Sequence, residues 1–498
     1  MSKHGTNAAK LATHKFTRAG RAALRDCTLG GIAVICRHQL VLYNDPGPAL
    51  TKLSLKKRFL GATKWTLVGH VLSQLVRFGS SLILTRLLAP DLYGVMAVGY
   101  MVITGLVMVS DIGLTAGVIQ SKRGDDPVYL NVTWIVAIIR GAVITLAALA
   151  LGGALASGMG DGWLPANSVY SDPRIPTLIA VVSIYSLVAG FESTRAIYAR
   201  RHLMLGQLTK IDLACQLTST VCILAWAWVS PTLWALAFGW IAGAVMQTVL
   251  THVALPGPAN RFEWDRTAFR EVFHFGKWIF LSSTLTYFLQ VGDRLLLAAF
   301  LDAKTLGQYS IAILLMGALQ TAVLKICSHV VMPALSEVAR ERPAEMKSAL
   351  YEIRLPIDLV CLVAAGALVY LGEPIVRILY DVRYAPAGWM LSILGLSLVA
   401  ARLDVFERCL VAVGRVRVLS VLNVARLVSL YVLVPLGYHI AGMRGAIAGV
   451  AVSFVANAGL ILALQAYLGL IDFRRELLAI PMYGTGLAAG WLIRQLIP

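Results

Sequence analysis

The chain has 498 residues, of which 58% are hydrophobic and only 14% charged, whereas a soluble domain carries about 25% charged residues. This balance excludes an ordinary soluble protein and predicts an all-α polytopic membrane protein. The net charge of +18 is what basic loops on one side of a bilayer produce, so no nucleic-acid partner is expected.

Residues 1–62 precede the first long apolar run and carry Lys3, Lys10, Lys15, Arg18, Arg21, Arg25, Lys52, Lys56, Lys57 and Arg58. A cleavable signal would place its apolar core within about the first 30 residues, so this segment reads as a basic cytoplasmic extension. About 20 apolar residues cross a bilayer, and thirteen such runs follow. They are 63–87, 92–119, 132–156, 175–197, 209–228, 232–255, 276–301, 306–334, 355–379, 386–407, 416–438, 441–467 and 477–497. Between the first two, "APDLYG" (89–94) reads as a turn in which Pro90 ends one helix and Gly94 permits the reversal.

With the N-terminus inside, the inner loops hold eighteen Lys and Arg, from Lys122 and Arg123 to Arg474 and Arg475, and the outer loops hold five. That asymmetry orients the chain with a cytoplasmic N-terminus. The predicted organisation is an N-lobe of six spans (63–255), a cytoplasmic linker (256–275), a C-lobe of six spans (276–467) and a C-terminal helix (468–498).

A shift of 213 residues lays the first span on the seventh. Over 64–109 it gives nine identities in 46 positions, five of them Leu, so identity alone is thin. Polarity is more telling. His70, Ser73, Gln74, Arg77, Ser80 and Ser81 lie on one helical stripe, and their counterparts are Ser283, Thr286, Tyr287, Gln290, Asp293 and Arg294. All six counterparts are polar, which predicts two structural repeats related by an axis along the membrane normal, with a site between the halves. A polar stripe on lipid is costly, so each must face protein or a water-filled cavity.

Other ionisable residues in the apolar spans divide by depth. Arg140, Arg195, Asp358, Arg402 and Asp404 stand near span ends, where reaching the interface is the simpler reading. Asp111 is placed to cap or pair. Arg77, Arg294, Lys325 and Arg426 lie deeper and are predicted to line a cavity, structural ion pairing being the alternative. Adjacent helical residues diverge by about 100°, so Asp293 and Arg294 are not expected to pair with each other. Four deep cations suit an anion, since Arg offers bidentate geometry to phosphate or carboxylate. A lipid-linked sugar pyrophosphate, or a sugar bearing carboxylates, fits that description.

No G-x-x-x-x-G-K-[ST], HExxH or GxSxG motif is present, so neither nucleotide hydrolysis nor these hydrolytic chemistries are expected. The seven cysteines form no CxxC pair, and neither disulfide, metal nor other cofactor is expected. A membrane polymerase or glycosyltransferase would need a large catalytic outer loop. The largest, "SGMGDGWLPANSVYSDPR" (157–174), is short, and its Asp161 and Asp172 read as turn residues.

The chain resembles the oligosaccharide flippases of the MATE-like exporter superfamily (multidrug/oligosaccharidyl-lipid/polysaccharide), in the branch that translocates undecaprenyl-linked polysaccharide repeat units. The resemblance covers roughly 60–475 and rests on "RLLAPDLYGVMAVG" (86–99), "SDIGLTAGVIQSK" (110–122), "LWALAFGWIAG" (233–243), "VGDRLLLAAFLDAKTLGQYSIA" (291–312), "VVMPALSEVARE" (330–341) and "GMRGAIAGVAVS" (442–453). It implies two six-helix lobes, a central cavity and alternating access in a bacterial inner membrane. The cavity would be cationic and would take the glycan headgroup while the polyprenyl tail stays in lipid. Arg77, Asp293, Arg294, Lys325 and Arg426 carry over by position as lumen-lining, with Gln74, His70 and Gln290 beside them on the stripes. Length and motifs suit an exporter of an acidic exopolysaccharide such as xanthan, with a polymerase and co-polymerase as partners. The chain departs from the usual pattern in its long basic start and in one clear C-terminal helix where two are frequent, giving thirteen or fourteen spans. A cation-coupled drug or metabolite antiporter of the same fold is the alternative, and it would call for an acid-rich cavity.

Overall fold

The computed structural model describes residues 52–111, 113–157 and 168–496; the expectations for residues 1–51 and for Asp161 fall outside them. Gly61–Pro498 forms one compact unit, and no strand occurs among the described residues. The first half runs α1 (Lys52–Leu87), α2 (Pro90–Val109), short α3 (Leu114–Gln120), α4 (Pro127–Ala156), α5 (Ile175–Gly190), short α6 (Arg195–Arg201), α7 (Leu205–Val229) and α8 (Leu233–Val253). The second half runs α9 (Arg266–Phe300), α10 (Ala303–Ile326), α11 (Met332–Glu341), α12 (Met346–Leu379), three short pieces α13 (Ala387–Leu394), α14 (Ser397–Ala401) and α15 (Asp404–Ala412), and the long α16 (Val416–Tyr467). Helices α17 (Phe473–Leu477) and α18 (Ala479–Leu496) complete the chain.

Nine helices among the described residues are long and apolar enough to cross a membrane, and α5 with α6, bent by 61°, makes a tenth. One of the nine is double. α16 leaves helical geometry at Ala441 and Gly442, where φ is 59° at the glycine. There its arms fold back so closely that a Cβ on Gly437 would lie 2.1 Å from the Gly445 carbonyl oxygen. Helices α1 and α9 are not among the nine, because their polar stripes dilute the apolar run. Rows of exposed apolar residues at helical spacing, such as Ile139, Val143 and Leu146 on α4 or Val421, Val424, Val428 and Val432 on α16, form the faces that lipid covers.

Several boundaries differ from expectation. The linker's second part is helical: Asp265 accepts hydrogen bonds from the backbone N–H of Thr267 and Ala268, starting α9 at Arg266 as an N-cap does. The run 386–407 falls within one membrane-length element, Ala387–Ala412, broken into three short helices, and the connection 336–354 is largely helical.

The "APDLYG" turn is tighter than predicted. Pro90 opens α2 at its first position instead of ending α1, a place where its missing N–H costs nothing. Gly94 lies inside α2 and does not make the reversal. A Cβ there would sit 1.8 Å from the carbonyl oxygen of Ala303, and one on Gly307 would sit 1.8 Å from the carbonyl oxygen of Pro90. These positions are related by the same shift of 213 found in the sequence, so α2 and α10 meet reciprocally across a pseudo-two-fold axis.

The surrounding contacts follow the symmetry in outline, with Leu88 and Leu301 as acceptors and Tyr170 and Arg383 as donors related by the same shift. The Tyr384 hydroxyl donates to the carbonyl oxygen of Leu88 at 3.0 Å, and Arg383 donates to that of Arg86 at 2.8 Å. Across the axis, the N–H of Val169 donates to the carbonyl oxygen of Leu301 at 2.9 Å, and the Tyr170 hydroxyl to that of Leu295 at 3.0 Å. Each half thus caps the other half's first helix, and this hairpin end of the bundle is closed.

The C-terminal helix is held by a different device. Gly366, Gly486 and Gly490 let α12 and α18 approach to backbone contact. At the opposite, basic end, Arg354, Asp358, Arg402 and Glu476 form a buried ion-pair network with Arg354–Asp358 at 2.9 Å and Arg402–Asp358 and Arg402–Glu476 each at 3.2 Å.

Candidate functional site

Beneath the closed hairpins lies a cavity of about 850 Å³ between the two halves. It starts at Tyr93, Met96 and Ser310 and extends along α10 to Leu324, about 21 Å at 1.5 Å per residue. Six of the eight residues singled out from the sequence line it: Gln74 and Arg77 from α1, Gln290, Asp293 and Arg294 from α9, and Arg426 from α16. His70 and Lys325 do not line it. His70 stands one turn before Gln74 on α1, within electrostatic reach of both Lys325 and Arg77.

The stripes themselves divide. Several that do not face the cavity bond to protein. Ser73 exchanges hydrogen bonds with Gln216 on α7, while Ser81 meets the Tyr380 hydroxyl of the other half at 3.1 Å. Ser283 donates to Asp111 at 3.0 Å and the Tyr287 hydroxyl to the Met101 carbonyl oxygen at 3.0 Å, so both cross between halves.

Partnership separates the basic residues of the spans into two sets. Arg140 bonds Ser110 at 3.1 Å and the Val107 carbonyl oxygen, with Asp111 at 3.9 Å. Arg195 donates to the carbonyl oxygens of His252, Leu255 and Pro258 at the end of α8. Arg402 and Asp358 belong to the buried network. Thus Arg140, Arg195, Asp358 and Arg402, predicted to reach for the interface, are engaged by protein instead. The reason is that the elements beside them supply carboxylates and helix C-terminal carbonyls at the right height.

The second set is different. Among the described residues, Arg77, Arg294, Lys325 and Arg426 have no carboxylate within ion-pair distance. The Arg294 Nε is buried with no hydrogen-bond partner, a costly arrangement for a donor unless something else satisfies it. Arg426 lies over the Phe454 ring at 4.6 Å, which holds the guanidinium in place while leaving its donors available. The one carboxylate in the lining among the described residues, Asp293, accepts from the Tyr309 hydroxyl at 2.7 Å and does not pair with Arg294. Three arginines against one aspartate leave the lining cationic, with fork donors suited to phosphate or carboxylate.

Sequence reasoning missed the aromatic side of the site. Trp240 stacks on Tyr185 with ring centroids 4.7 Å apart and meets Tyr100 at 5.6 Å. These rings fall on α2, α5 and α8, and no spacing in the sequence brings three separate helices together; the apolar motif around Trp240 was the only signal.

A family profile described as "Polysaccharide biosynthesis protein" matches residues 83–388, more than half of the chain. No curated protein matches by sequence. Among solved structures, the chain is similar to the lipid II flippase MurJ in an inward closed conformation, with TM-score 0.64 at 11% identity, covering 86% of this chain and 92% of that one. It is also similar to a multidrug resistance MATE family transporter of the MOP superfamily in an inward-facing conformation, with TM-score 0.59 at 13% identity, covering 85% and 95%. A MATE structure in complex with MaD3S gives TM-score 0.51 at 12% identity, covering 89% and 96%. At these identities the structural likeness speaks to the fold, which is that of the MATE-like exporters. The profile match speaks to the family: the chain belongs to the polysaccharide biosynthesis proteins.

Proposed function

We propose that this protein carries undecaprenyl-pyrophosphate-linked oligosaccharide repeat units from the cytoplasmic to the outer leaflet of a bacterial inner membrane, by alternating access, for exopolysaccharide export. The observation that carries the reading is the set of arginines without carboxylate partners, Arg77, Arg294 and Arg426, facing one cavity between pseudo-symmetric halves. A pyrophosphate supplies the charge and acceptors they lack. The cavity volume of about 850 Å³ is in the range of roughly 300–1,000 Å³ that holds a ligand of several rings. The polyprenyl tail stays in lipid, and an acidic repeat unit is compatible with the same lining.

In this reading the basic loops are cytoplasmic, the N-terminus is inside, and the hairpin end faces outward. The conformation described is then closed to the outside. Lobe rocking opens the hairpins and presents the headgroup to the outer face, where a polymerase and co-polymerase consume it. The protein makes and breaks no covalent bond.

The test is to delete the gene and identify the lipid-linked intermediate that accumulates in the inner leaflet. Accumulation relieved by the native chain but not by its Arg77→Ala form supports the reading. Normal export without the protein overturns it. A cation-coupled antiporter of the same fold is less favoured because the lining holds a single carboxylate, already engaged by Tyr309.

A further inference from the structure

A second cavity, about 500 Å³, lies within the first half among α1, α5, α7 and α8. Arg77 and Trp240 line both cavities, so the smaller one adjoins the larger as a side chamber at those two residues. Its character is different. Among the described residues, Arg77 is the one cation in its lining and Glu192 the one carboxylate.

One wall is aromatic, formed by Tyr185 and Trp240. Short polar groups lie beside it, Glu192 and Gln247 standing seven residues beyond Tyr185 and Trp240 on the same two chain segments. Gln247 donates to one oxygen of Glu192 at 3.2 Å, leaving the carboxylate with further acceptor capacity. The hydroxyls of Ser219 and Thr220 also line the chamber. The floor comes from close packing of α7 and α8, where a Cβ on Gly243 would meet Ser219 Cβ at 3.2 Å.

An aromatic pair beside a partly engaged carboxylate, an amide and hydroxyls suits a ligand that is apolar on its ring faces and rich in hydroxyls at its rim. We propose that the side chamber is a subsite for one neutral sugar ring of the glycan, its C–H face against the stacked Tyr185–Trp240 pair and its hydroxyls on Glu192, Gln247 and Thr220. Size permits this. A hexose has about a dozen non-hydrogen atoms, and even at the roughly 30 Å³ that each water occupies it needs under about 400 Å³. Arg77 at the junction then lies between the sugar and the anionic group held in the central cavity. The assignment rests on the flippase reading and deepens it by separating where the charge and where the sugar are recognised.

The experiment compares two probes of equal charge on the purified full-length protein in lipid nanodiscs: the methyl ester of undecaprenyl pyrophosphate, and the same lipid carrying a single neutral hexose in place of the methyl group. The measured quantity is the ratio of their affinities. The native protein is expected to favour the hexose-bearing probe by about tenfold, the worth of one good charge-assisted hydrogen bond. Tyr185→Leu and Glu192→Ala are expected to bring the ratio close to one, and Tyr185→Phe, which keeps the ring, to retain it. Arg426→Ala, on the far wall of the central cavity, should lower both affinities and keep the ratio. A ratio near one in the native protein overturns the subsite while leaving the flippase reading intact, as does a ratio that survives Tyr185→Leu and Glu192→Ala. Failure of the native protein to bind either probe overturns both.

Discussion

Placing a methyl group at the hairpin contact tests how the two halves meet. In Gly94→Ala the new Cβ would lie 1.8 Å from the Ala303 carbonyl oxygen, and in Gly307→Ala it would lie 1.8 Å from the Pro90 carbonyl oxygen. Ordinary contact needs about 3.4 Å, and both obstacles are backbone, so a rotamer change relieves neither. The helices must separate by about 1.5 Å. Overpacking of this kind costs about 1–3 kcal/mol, which lowers the population of the closed form about 5-fold to 150-fold relative to one in which the hairpins are apart.

The assay uses Met96, which lines the cavity just beneath the contact. In a background free of native cysteines, a Met96→Cys reporter is exposed to a membrane-impermeant maleimide added from outside. Slow labelling in the native sequence and faster labelling in either alanine variant are expected, by similar factors because the contacts are related by symmetry. Unchanged labelling in both variants, or a large effect in only one, would refute the reciprocal seal.

Three further expectations follow from charge. Arg77→Ala, Arg294→Ala and Arg426→Ala should each weaken binding of the pyrophosphate-linked substrate about tenfold to a hundredfold, since a hydrogen bond to a charged group is worth about 1.5–3 kcal/mol, with membrane levels maintained; titration of purified protein with the lipid probe checks this. Arg402→Ala or Glu476→Ala should act the other way, cutting thermal stability and membrane levels before any effect on binding, because breaking a buried pair costs about 3–5 kcal/mol. The hairpin end should also respond to acid. Backbone and side-chain hydrogen bonds from Arg383 hold the Asp381 carboxyl below its usual range, and at Asp172 burial pushes the carboxyl up but bonds from Arg174 outweigh it. Both contributions are complete above the unfolded carboxylate value of about 3.9 and are lost as pH falls through the lower folded values. Labelling of the Met96→Cys reporter in liposomes after a brief acid pulse should therefore rise, and an acid-insensitive rate would count against these latches.

How much of this was legible depended on the range of the signal. Most of the spans were legible because about twenty consecutive apolar residues leave few alternatives, α1 and α9 falling short where polar stripes dilute the run, and the repeat was legible because polar residues kept their stripe through a shift of 213 positions. The cavity arginines stood out because a charge in an apolar run demands a partner or water. Whether that partner exists is a tertiary fact. Depth in the span separated Arg402 from Arg426, but nothing in the sequence shows that Arg402 is neutralised by Asp358 and by Glu476 from another helix, while Arg426 has no carboxylate so near among the described residues. Gly94 was misread for the same reason, since its partner Ala303 lies in the other half and local rules favour a turn. The break of the 386–407 run and the aromatic wall around Trp240 likewise arise from packing between distant helices.

The most direct test of the central claim is reconstitution of the purified protein in liposomes, with a fluorescent lipid-linked oligosaccharide pyrophosphate placed in one leaflet. The rate at which the headgroup becomes accessible to an impermeant quencher on the other side is then measured. Protein-dependent transfer that falls at least tenfold in the Arg77→Ala, Arg294→Ala and Arg426→Ala forms is the predicted result. Transfer unaffected by all three substitutions, or no faster with protein than without it, would contradict the account.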